Sequence, residues 1–177
     1  MRMMSTSVLE SLLKNPVISR IRRNHGLEHA TLHVLSQRHP KLPLAGHSDM
    51  RGFWILGDVS TEEVESAVQE AITRLQAGEH NLAVHPNCGT NFVTSGILAS
   101  LAAFVAIFGA GRRFRDRLER LPLMASLTTI ALIISQPLGL LVQEQLTTSS
   151  DVSTLRVTQI VPSQHRKMKV HHVLTQG

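Results

Sequence analysis

Seven of the ten histidines in this 177-residue chain fall before residue 86, and three of them, His25, His29 and His33, recur at steps of four. On a helix, side chains four apart lie over one another on the same face. Two imidazoles at i and i+4 can therefore converge on one point, which is the reach that a transition metal requires. Glu28 flanks that face, where a carboxylate can orient a ligand or act as general base toward water. A second group follows about 55 residues later, in His85-Pro86-Asn87-Cys88. This places the only cysteine three residues after a histidine, in a turn-forming context and just before an apolar helix. A helix N-terminus favours the thiolate. His25, His29, His85 and Cys88 together would make a four-ligand tetrahedral zinc site. The plainer reading is a set of solvated or core histidines, with Cys88 a small buried apolar group.

The order His-x-x-Glu-His at residues 25–29 resembles the inverzincin peptidase signature. A wider resemblance rests on His25, Gly26, Glu28 and His29, then His85, Pro86, Cys88, Gly89, Thr90 and Phe92, then hydrophobic helices. In that order the chain resembles the YqhQ-like family of bacterial membrane proteins, described as predicted metal-dependent enzymes. It is also similar to a shorter family of unknown function from cyanobacteria and filamentous phototrophs. The resemblance covers roughly residues 20–142 and implies a metal-binding module next to a membrane. This chain departs from the first family in being short, with only two hydrophobic segments.

The elements that must position these groups are legible in outline. Val8–Leu13 reads as a short amphipathic helix ending before Pro16, and Val17 to about Gln37 as the main helix, ended by Pro40 and Pro43. Gly52–Val59 is the best strand, preceded by a turn at Gly46 and Ser48-Asp49. Ser60 and Glu63 form a capping box that opens a helix to about Ala77, closed by Gly78. In the tail, Leu155–Val161 and Met168–Leu174 read as β-like runs split by Pro162, able to add strands to the module. His171 and His172 are expected to be exposed, Trp54 to be a core or interface anchor, and His33 to support the site rather than bind in it. The helix-borne Arg20, Arg22 and Arg23 could stabilise an oxyanion, or form a solvated or lipid-facing helix face.

Phe92–Gly111 is a 20-residue run without a charge, stopped by Arg112 and Arg113, and Leu121–Val142 is a second. At about 1.5 Å per residue each reaches roughly 30 Å, the thickness of a bilayer core. Soluble core helices rarely stay uncharged for so long. Pro122 falls in a tolerated first turn, whereas Pro137 should kink or shorten the second helix. Met1–Ser7 runs into Val8-Leu9-Glu10 and shows no signal peptide, so the first apolar helix would serve as its own insertion signal. Two spans put both ends of the chain on one side. The five arginines of 112–120 favour a cytoplasmic connection, whereas exporting a folded module without a signal favours a cytoplasmic module, and the latter is the working expectation.

Charge and composition exclude some classes. The chain carries +5 overall, but residues 1–91 hold nine bases and nine acids, and there is no Tyr and one Trp. Such a composition argues against a basic, aromatic groove, so no nucleic-acid partner is expected. One cysteine permits no intrachain disulfide. The expectation is an α+β, mostly α chain: a His-rich soluble module over 1–91, two membrane helices over 92–142 with an Arg-rich connection at 112–120, and a β-like tail over 143–177. Its partners would be the lipid bilayer and other membrane-protein subunits, its cofactor zinc, and its location the bacterial inner membrane. Two functions fit. One is a zinc-dependent hydrolase or peptidase using Glu28; the other is a non-catalytic subunit or assembly factor with a closed structural zinc site.

Overall fold

The computed structural model describes residues 10–111, 113–165 and 168–177. Met1–Ser7, the start of the helix expected at Val8–Leu13, and Arg112 lie outside them. The chain divides into two compact units, Met1–His85 with Glu144–Gly177, and Pro86–Gln143.

The first unit is α+β. Helix α1 (Pro16–Arg38) starts where Asn15 caps it, its Oδ1 accepting from Val17 N at 3.0 Å with Pro16 in the first turn. Strands β1 (Ala45–Ser48) and β2 (Gly52–Leu56) form a hairpin, and α2 (Thr61–Gln76) follows. Both arms of the expected capping box are made: Glu63 N donates to Ser60 Oγ at 3.2 Å, and Ser60 N donates to Glu63 Oε2 at 2.8 Å. Gly78 ends that element with φ +98°, a left-handed conformation that favours glycine. A 3-10 turn at His80–Ala83 closes this half.

The tail of the chain completes the same unit. Strands β3 (Arg156–His165) and β4 (Met168–Gln176) form a second hairpin, and β4 pairs antiparallel with β2, giving the order β1-β2-β4-β3. Pro162 does not split β3. It lies within an edge strand opposite His171, where a missing N–H breaks no inner ladder. Strand β1, which the turn signals around Gly46 masked, pairs Ala45–Ser48 with Phe53–Leu56. One face of the sheet carries Phe53, Ile55 and Val173 onto α1 and α2, and the core adds Leu27, Leu35, Val64, Val68 and Ala71. Period-two alternation puts Trp54 and His172 on the opposite face.

The second unit holds α3 (Gly89–Ile107), the short α4 (Phe114–Leu118) and α5 (Leu121–Val142). Helices α3 and α5 run antiparallel. Ser95 and Ser135 share a hydrogen bond at 2.7 Å, and Gln143 Nε2 donates to Asn91 Oδ1 at 2.5 Å. Helix α3 begins earlier than its uncharged run because Cys88 caps it, and it ends at Ile107, shortly before Gly109 with φ +77°. Pro137 does not shorten α5. Gly89–Ile107 and the helical stretch Phe114–Thr147 are long and apolar enough to cross a membrane, and only 11% of each apolar window is buried. A helix from a soluble core would be mostly buried.

Candidate metal centre

The four-residue spacing on α1 stacks the histidines as expected, and the first unit assembles four imidazoles in a row. The His25 and His29 rings lie 4.4 Å apart between centroids, His29 and His85 5.7 Å, and His33 and His85 4.8 Å. His29 is buried, and His25, His33 and His85 are half-buried.

Each helix histidine is held by a backbone carbonyl. His25 Nδ1 meets Thr147 O at 2.9 Å, His29 Nδ1 meets Ala83 O at 2.9 Å, and His33 Nε2 meets Val84 O at 3.0 Å. A carbonyl can only accept, so the ring nitrogen facing it is the N–H. His25 and His29 therefore carry the proton on Nδ1, and Nε2 becomes the lone-pair nitrogen. That is how metal-binding imidazoles are prepared by their surroundings. The acceptors come from two short, tight elements. The 3-10 turn His80–Ala83 supplies Ala83 O and leads into Val84; it is anchored by buried Leu82 and by the Arg74–Glu79 ion pair at 2.7 Å. A π-helical turn at Gln143–Thr147 supplies Thr147 O.

Arg20, Arg22 and Arg23 are committed elsewhere, which corrects both expectations for them. The Arg22 guanidinium donates to Gln145 O and Thr148 O, each at 2.9 Å. Arg20 donates to Thr175 O, and Arg23 to Thr154 Oγ1 and, at 3.2 Å, to Gly177 O. The three side chains clamp the returning tail onto α1. Gly26 belongs to the same seam: a Cβ there would run into the Ser149 carbonyl, next to the Ser149 N–Arg22 O bond at 2.9 Å. Glu28 is 4% exposed, and its carboxyl group fills the space beside Gly46 of β1, so that a Cβ there would displace it.

Cys88 caps α3, its Sγ accepting from Thr90 N at 3.4 Å. His25 and His29 thus offer two nitrogen donors in the first unit and Cys88 offers a thiol in the second, donor types that suit a metal ion without naming which one.

The model of a family known as a domain of unknown function, DUF6391, matches residues 20–160. The chain belongs to the DUF6391 family. It is also 37% identical over 139 residues to an uncharacterised protein of the cyanobacterium Picosynechococcus sp. (strain ATCC 27264 / PCC 7002 / PR-6). That match covers 73% of this chain and 66% of the relative, just under two thirds of its length. No solved structure matches. The family is thus an uncharacterised one, and these matches support membership of it without extending to the YqhQ-like family whose motifs the chain resembles. No metal-dependent activity carries over from that resemblance.

The DUF6391 match spans the helix histidines, the turn at 85–88 and both apolar helices. Burial, and then the neighbouring charge of His33, lower the pKa of His85, which favours its neutral, lone-pair form. Two other histidines depart from expectation. His171 is buried on the inner face of β4, its Nε2 3.2 Å from Thr61 Oγ1. His172 is half-buried, stacked on Trp54 with centroids 3.7 Å apart. Pairing of β4 with β2 covers both, and a tail read in isolation does not reveal that pairing. The carbonyls of Thr147, Ala83 and Val84 leave no trace in residue type. Asn91 does leave one, as a primary amide at the head of an apolar helix.

Proposed function

We propose that this protein is a membrane-anchored zinc protein in which His25, His29 and Cys88 hold the ion and Glu28 serves as general base in a hydrolytic reaction. The supporting observation is the pair of carbonyls, Thr147 O and Ala83 O, that turn the Nε2 lone pairs of His25 and His29 into ligands. Two imidazoles with one thiolate suit zinc, and three protein donors leave one position for a substrate or water, the composition of a catalytic site. Zinc bound there would supply a Lewis acid and lower the pKa of water. Glu28, buried one residue before His29, would accept the proton. Amide or peptide hydrolysis is the natural class for such a set.

One observation favours a second reading. The His85 ring lies beside both His29 and His33 and is biased toward its neutral form. If His85 binds as well, the site is closed and structural, and the protein is a subunit or assembly factor of a larger membrane complex. Zinc-edge X-ray absorption on the loaded, detergent-purified chain separates the two. Two nitrogens, one sulfur and one oxygen at the metal support the hydrolase. Three nitrogens and one sulfur overturn it in favour of the closed site.

The apolar helices would anchor the chain in the bacterial inner membrane as a two-span hairpin, with the histidine-bearing module in the cytoplasm. Protease accessibility of that module in inverted vesicles, against spheroplasts, tests the side. Cleavage only in spheroplasts would refute it.

A further inference from the structure

We propose that Asn91 is a positioning residue for the Cys88 thiol, and that Gly139 of α5 and Gln143, which caps that helix, set Asn91 in turn; the proposal rests on the metal reading above. Asn91 lies in the first turn of α3, one turn beyond the thiol. Its Nδ2 donates to Pro86 O at 2.6 Å, and its backbone N–H donates to Cys88 O at 3.0 Å. Both ends of the Pro86–Cys88 turn are therefore tied to one residue. The other end of the amide is tied in turn: Gln143 Nε2 donates to Asn91 Oδ1 at 2.5 Å. Gln143 is fully buried and Asn91 is 6% exposed. Gly139, one turn before Gln143, makes room, since a Cβ there would meet the Asn91 side chain.

Helix pairing alone does not require this arrangement. Burying two primary amides costs free energy unless their polar atoms are used. A leucine at 91 would pack between apolar helices without that cost. The amide adds a fixed Pro86 carbonyl, and with it a fixed path for the chain that carries Cys88. Ser95 and Ser135, one turn further along the same helices, supply an internal comparison. Their 2.7 Å hydrogen bond ties α3 to α5 without touching the turn.

The test uses the full chain in detergent, titrated with Co²⁺ and Zn²⁺ against a chromophoric chelator, with thermal unfolding of the metal-free protein alongside. Asn91→Ala is expected to weaken Zn²⁺ binding roughly 10- to 100-fold, the usual effect of losing a group that orients a ligand. Gln143→Leu, which leaves Asn91 in place but removes its anchor, should weaken it in the same direction and lower the intensity of the thiolate-to-Co²⁺ charge-transfer band. Ser135→Ala should lower the melting temperature of the metal-free chain but leave the affinity unchanged. Asn91→Ala binding like wild type, or all three variants weakening binding equally, would overturn the positioning role. A wild type that binds no metal would overturn the metal reading itself and this proposal with it.

Discussion

Gly26→Ala sets two effects against each other, and the structure decides which prevails. An alanine inside a helix is favoured over glycine by about 1 kcal/mol. Gly26 is fully inside α1, so propensity alone predicts a more stable protein. Its Cβ, however, would overlap the Ser149 carbonyl, which is backbone and cannot rotate away. The returning segment must shift, and the Ser149 N–Arg22 O and His25 Nδ1–Thr147 O bonds, both 2.9 Å, shift with it. Overpacking costs about 1–3 kcal/mol and each hydrogen bond about 1 kcal/mol. The balance is a net loss of roughly 3 kcal/mol, or a fall in melting temperature of roughly 6–12 °C for a chain of this size. Gly96→Ala is the matched comparison, because a Cβ there meets nothing within 4 Å; it should leave stability the same or slightly higher. Both are measured by thermal unfolding of the detergent-purified protein. A Gly26→Ala protein as stable as Gly96→Ala would refute the seam between α1 and the tail.

Other substitutions test separate parts of the account. Phe53→Ala empties a fully buried position between the sheet and the helices, and it should cost about 3–5 kcal/mol, read from denaturant midpoints. Ser60→Ala removes one arm of the capping box and should cost about 1 kcal/mol by the same assay; no change would show that α2 does not depend on its cap. Burial, and then the charge of Lys169, hold the pKa of His171 below its ordinary value near 6.5. The folded state thus resists protonation that the unfolded chain accepts. The contribution is full above about pH 6.5 and is lost as pH falls below it toward the folded value. His171→Gln, which keeps an acceptor for Thr61, should flatten the decline of melting temperature between about pH 7 and 5; an unchanged slope would contradict this.

Local signals predicted the elements that local chemistry controls. Ser60 and Glu63 start α2, and Gly78 stops it, because capping and left-handed turns are made by neighbours in sequence. The unbroken apolar runs likewise marked α3 and α5. What depends on distant partners was hidden. Pro162 reads as a breaker until β3 is known to be an edge. His171 and His172 read as exposed until β4 pairs with β2. The arginines of α1 read as a functional or solvated face until the tail brings its carbonyls to them. For the candidate site, residue spacing anticipated that His25 and His29 lie over one another on α1 and that Cys88 heads α3. The backbone carbonyls that set the histidine tautomers have no residue signature, and the role of Asn91 emerges only when Gln143 and Pro86 are placed around it.

The central claim is that His25, His29 and Cys88 share one metal ion. Metal content of the full chain, purified in detergent without chelators, tests it most directly by elemental mass spectrometry, with His29→Ala and Cys88→Ser beside the wild type. The account predicts about one zinc per chain in the wild type, the stoichiometry of a single site, and its loss in both variants. Wild-type protein without metal, or zinc retained when Cys88 is replaced, would contradict it.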